Sequence, residues 1–139
     1  MGPSYISEMQ AVAYEDFGLL KIDAATPTLK EVIENYISPK TSIGSPSINH
    51  FAQSIDLAII AAESLAKIDD KSSAQLVAHL LKRYMQTQTQ RDYLFRIANS
   101  ALLLEAPDKD MEKLMGEKWV RRRVLINRLK PLPHYLLAH

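Results

Sequence analysis

PSINHFAQSIDLAIIAAESLAKI, residues 46–68, decides the fold. At 100° per residue, Ile48, Phe51, Ala52, Ile55, Ala58, Ile59, Ala62, Leu65 and Ala66 gather on one broad side of a helix. Leu57, Ile60, Ala61 and Ile68 cover much of the other side, and Asn49, Asp56, Glu63 and Lys67 leave only a narrow polar strip. A helix apolar nearly all round is either surrounded by its own chain or shares one side with a second subunit. Ser45-Pro46 suits its cap and first position. Its longest apolar run, LAIIAA at 57–62, is far short of the roughly 20 residues a membrane helix needs.

Around it the pattern predicts further helices, with FGLLKI, 17–22, as the one stretch that alternatively reads as extended. Residues 5–16 carry a weak stripe of Tyr5, Met9, Val12 and Ala13, with Gly18 as a stop. In the next segment Thr28 and Glu31 read as a capping box, and Leu29, Val32, Ile33, Tyr36 and Ile37 form one apolar face before Pro39. Residues 72–86 turn Leu76, Val77, Leu80, Leu81 and Tyr84 inward, with His79, Lys82 and Arg83 opposite. Residues 90–105 bury Tyr93, Leu94, Ile97, Ala98, Ala101 and Leu104, leaving Asp92 and Arg96 as an outer i, i+4 pair. A last helix is expected from Asp108 to about Lys130, acidic at its start and basic at its end, as the helix dipole favours. No internal repeat is legible. The expected fold is all-α: one domain spanning 1–139, an irregular bundle of five to six helices around a central hydrophobic helix. A flexible loop or hinge is expected at 39–47 and a short apolar tail at 131–139.

Length, 139 residues, permits a single core, and 47% apolar with 24% charged residues is ordinary for a globular chain. The absence of cysteine excludes disulfides and sulfur-based zinc sites and suits a cytoplasmic protein. His50, His79, His134 and His139 sit at no metal-binding spacing, SIGSPS lacks the end of a phosphate-binding loop, and no GxSxG occurs. No cofactor, metal or small-molecule substrate is therefore expected, and the protein reads as non-enzymatic. Carboxylate chemistry at Asp56 and Glu63 would require both acids to face one cleft.

Charge is divided unevenly. Residues 1–70 hold 4 Lys/Arg against 10 Asp/Glu, and residues 71–139 hold 13 against 6, so a net charge of +1 conceals halves of −6 and +7. Such asymmetry can steer one copy toward another, or the basic half toward an anion. The stretch KWVRRRVLINRLK, 118–130, concentrates six cations. On a helix continuous from Asp108, Met111, Leu114, Met115, Trp119, Leu125, Ile126 and Leu129 form the core side, while Val120 and Val124 face solvent and the cations flank both edges. Arg122 then falls in the apolar stripe, where Asp56 or Glu63 would be its natural partner, and Glu117 is placed to pair with Arg121.

The expected function is a helical protein–protein interaction module, an adaptor, regulator or assembly subunit that binds a protein partner and its own copies. Its contact residues would be Leu57, Ile60 and Ile68 on the central helix and Trp119, Val120, Arg123 and Val124 on the last. The alternative is a nucleic-acid-binding accessory protein whose phosphate contacts are Lys82, Arg83, Arg96, Arg121, Arg123, Arg128 and Lys130.

Overall fold

The hydrophobic segment becomes helix α3, Ile55–Ile68, and it lies where the other helices converge. The computed structural model describes residues 3–38, 54–87 and 90–129, with side chains from residue 8 onward. The expected hinge at 39–47, the tail at 131–139, the start of the central helix, His50, His134, His139 and Lys130 lie outside the described residues. Within them the chain is all-α. Seven helices are described, one more than the upper expectation: α1 Pro3–Leu19, α2 Thr26–Ile37, α3, α4 Ala74–Thr87, α5 Arg91–Leu103, α6 Asp108–Met115 and α7 Glu117–Leu129. No described helix is long and apolar enough to cross a membrane.

The expected stripes of three helices form the core as read. Leu29, Val32 and Ile33 of α2, Val77, Leu80, Leu81 and Tyr84 of α4, and Ile97, Ala98 and Ala101 of α5 are all buried. The start of α2 differs: it begins at Thr26, with Pro27 in its first turn, so Thr28 and Glu31 stand exposed on a helix already under way and make no capping box.

The surplus apolar side of α3 is covered by its own chain. Packing by α1, α2 and α5 buries Leu57, Ala58, Ile59, Ala61, Ala62, Ser64 and Leu65 together. The α1 contact is very close: a Cβ on Gly18 would lie 2.7 Å from the Cα of Ser64. The Ser64 hydroxyl, itself buried, donates to the Tyr14 carbonyl at 2.5 Å. Gly18 is thus not the stop expected of it but a contact point inside α1, and the buried side of that helix is Ala11, Tyr14, Phe17 and Gly18. Met9 and Val12, expected in the core, point to water.

A repeat that the sequence conceals is present in the backbone. The turns after α1, α3 and α5 each place a residue in the left-handed region: Lys21 (φ 52°), Asp69 (φ 66°) and Glu105 (φ 64°). Each of these donates its N–H three residues back, to Gly18, Ala66 and Leu102. The following residue donates five back: Ile22 to Phe17, Asp70 to Leu65, Ala106 to Ala101, at 2.9–3.1 Å. This double closure satisfies carbonyls that a helix end leaves free. Three helix–turn–helix units result. Their first helices pack in a row, α1 on α3 and α3 on α5, and α2 packs on α4. Ion pairs link neighbouring units beside the turns, Lys30–Asp70 at 3.4 Å and Lys71–Glu105 at 2.7 Å.

The third unit departs from the pattern because Gly116, at φ 93°, divides its second helix. Met111 and Val120 are both buried, yet nine residues apart on one helix they would face opposite ways. The break resets the phase, so α7 turns a different side inward from the one expected of a continuous helix.

Candidate functional site

On α7 the positions 120, 123, 124 and 127 recur at i, i+3, i+4, i+7 and face the body of the protein. Val120 is buried and Val124 packs on the core. Arg123 donates from Nε to the Asn99 Oδ1 of α5 at 2.7 Å, and the Asn127 Oδ1 is buried without a partner among the described residues, beside a hollow of about 450 Å³ that Leu102, Ala106 and Val124 also line. Trp119 stacks on Phe95 of α5, with ring centroids 5.6 Å apart and planes within 16° of parallel.

Of the residues expected in the core, Met111 is buried and Leu114, Met115 and Trp119 pack against it, but Leu125, Ile126 and Leu129 are left outside. Leu125 is 60%, Ile126 37% and Leu129 50% exposed. Lys118, Arg121, Arg122 and Arg128 are exposed on the same helix, and Glu117 pairs with Arg121. This outer face mixes apolar side chains with cations, a composition that neither a solvated helix nor a core helix requires.

Several expected site residues are placed otherwise. Leu57 and Val120 are buried within the chain, and Ile60 and Ile68 are half-buried. Val124 is half-buried, not solvent-facing, because of the phase shift at Gly116. Arg122 is exposed and does not meet the α3 carboxylates. Both of those have nearer partners on α5. Asp56 accepts from the Tyr93 hydroxyl at 2.7 Å, which pushes the pKa of the phenol up. Glu63 binds Arg96 through both oxygens, at 2.6 and 3.0 Å, so Arg96 does not form the expected pair with Asp92. Of the proposed phosphate contacts, Arg96 and Arg123 are therefore engaged inside the chain and Arg121 is paired. Lys82 and Arg83 on α4 and Arg128 on α7 are exposed.

A second unexpected face lies on α1. Met9, Val12 and Leu19 are each more than half exposed, as is Leu20 just beyond the helix, and Glu8, Glu15 and Asp16 stand among them. No Lys or Arg occurs in the helix. The signal for both faces was available in the sequence, as apolar residues mixed with charge that is all acidic on α1 and basic but for Glu117 on α7, but the mixture reads as a poor core stripe and so is easily assigned inward.

Among the described residues no group of three or more His, Asp or Glu comes together to hold a metal ion. The groove between α4 and α6, lined by His79, Lys82, Asp110 and Lys113, is open to solvent and brings one imidazole near charges of both signs. Comparison with known proteins finds no family model, no curated protein and no solved structure that matches this chain.

Proposed function

We propose that this chain is a non-enzymatic helical interaction module, an assembly subunit or adaptor that binds protein through the outer face of α7. The observation that carries the reading is the exposure of Leu125, Ile126 and Leu129 among Arg121, Arg122 and Arg128. Arginine flanking an apolar centre is the composition that tight protein contacts favour. Support also comes from Asp56 and Glu63, whose oxygens are already bound by Tyr93 and Arg96. The nucleic-acid reading draws on the same cations, but two of its contacts, Arg96 and Arg123, are bound within the chain.

The test is a crosslinking comparison. A photoreactive residue at position 125 is expected to crosslink to protein, and Ile126→Asp with Leu129→Asp is expected to abolish the product. Crosslinks to nucleic acid, or a labelled strand shifted at low salt and released as salt rises, would replace this reading with the phosphate-binding one.

A further inference from the structure

The two exposed faces are complementary, and they stand at the two ends of the row α1–α3–α5–α7. We propose that the protein assembles head to tail, the basic apolar face of α7 in one copy seating against the acidic apolar face of α1 in the next. This rests on the interaction reading above and names its partner, a second copy of the chain.

Three observations converge. The first is charge. The outer face of α1 offers Glu8, Glu15 and Asp16 and no cation, while that of α7 offers Lys118, Arg121, Arg122 and Arg128, with Glu117 its sole acid. Opposite potentials guide encounter and fix orientation, and like faces repel. The second is dimension. Glu8 to Leu19 and Lys118 to Leu129 are each twelve residues, about 17 Å of helix from end to end. On each, apolar and charged residues share one side: Glu8, Val12, Glu15 and Leu19 on α1, and Arg122, Ile126 and Leu129 on α7.

The third is the architecture. In a stack of helical units each unit buries its neighbour, and the end units normally carry a polar outer face to stop the stack. Here the end helices do the opposite. Among the described residues nothing covers Met9 and Val12 at one end or Leu125 and Leu129 at the other. One copy cannot bring its own two faces together, because α3 and α5 lie between them. Contact between unlike faces is heterologous, so it propagates into a filament or closes into a ring.

The experiment uses the full chain and four exposed positions. Sedimentation over a concentration series is expected to show mass rising above 15.7 kDa and falling back as salt is added. Arg122→Glu with Arg128→Glu, and separately Glu8→Lys with Glu15→Lys, are each expected to weaken self-association at least tenfold with helix content unchanged. If either reversed variant loses helix content, the neutral pair Arg122→Gln with Arg128→Gln, or Glu8→Gln with Glu15→Gln, takes its place. An equimolar mixture of the two reversed variants is expected to associate again, since it offers one native and one charge-swapped junction. A mixture that stays monomeric while the wild type associates would assign the interface to other surfaces and overturn the inference. A wild type that remains a monomer at several hundred micromolar overturns it as well. If that monomer still yields the position-125 crosslink to a different protein, the broader interaction reading stands and only self-assembly falls. If it is instead destabilised by Ile126→Asp, the chain's own residues 130–139 cover the face, and the inference also falls.

Discussion

Replacing Gly18 with Ala tests the packing of α1 on α3. Alanine is ordinarily the better residue inside a helix, by about 1 kcal/mol. At this position the new methyl would lie 2.6 Å from Ser64 Oγ, 2.7 Å from Ser64 Cα and 2.8 Å from Ser64 Cβ. Carbon atoms rest comfortably at about 3.5–4.0 Å, so the helices must separate by roughly 1 Å, and no rotamer change of Ser64 can move its Cα. Overpacking of this kind costs about 1–3 kcal/mol. The separation also stretches the bond from Ser64 to the Tyr14 carbonyl, worth about 1 kcal/mol more. After the gain in helix propensity, a loss of about 2 kcal/mol is expected, or a fall in Tm of roughly 5–10 °C for a chain of this size. Because α3 is the main support of α1, amide exchange in residues 8–20 is expected to accelerate more than in α4 or α5. A variant as stable as the wild type, with α1 protected as before, would refute the close-crossing account.

Other expectations follow from the same contacts. Lys21→Gly relieves a left-handed residue that makes no ion pair among the described residues and is expected to raise stability by about 0.5–1 kcal/mol in denaturant titration. Arg96→Ala should cost about 0.5–1 kcal/mol, since the Glu63 pair is well aligned but partly solvated, whereas Arg122→Ala should change stability little. Phe95→Ala removes the ring stacked on Trp119, the sole tryptophan, and is expected to shift its emission to longer wavelength before the remaining helices unfold. For Asp70, burial alone would raise the pKa, but the hydroxyls of Ser73 and Ser72 and the Lys30 ammonium outweigh it and hold the carboxyl below its ordinary value. A lowered folded pKa contributes stability above the unfolded value, near 4, and that contribution is lost as pH falls through the folded one. The acid limb of the stability profile should therefore flatten in Asp70→Asn.

Much of the fold was legible because α2, α4 and α5 each bury one continuous apolar stripe, and α3 is too apolar to lie at the surface. The inner side of α1 was not legible, since beside Tyr14 and Phe17 it depends on Gly18 and Ala11, whose contribution is smallness and not hydrophobicity. The repeat escaped notice for a related reason. Its shared element is a backbone closure carried by a lysine, an aspartate and a glutamate, so no residue type recurs. At the candidate site Trp119 lies inward as its position predicts, but Leu125, Ile126 and Leu129 lie outside and Arg123 and Val124 inside, because a helix read as continuous through Gly116 has a phase the chain does not keep. Arg122 followed the same error, and its supposed partners were already bound by Tyr93 and Arg96 on α5.

Gly116 carries a further consequence. The thirteen residues of α7 contain two competing greasy seams, Val120 with Val124 and Leu125 with Ile126 and Leu129, and the kink at one glycine selects which seam the protein body receives. Nothing lies within 4 Å of where a side chain at this position would sit, so space does not forbid substitution; only the dihedral angle does. A residue that straightens the joint would roll the last helix about its axis and exchange its sticky and hidden sides, an alteration of surface identity written in backbone torsion alone.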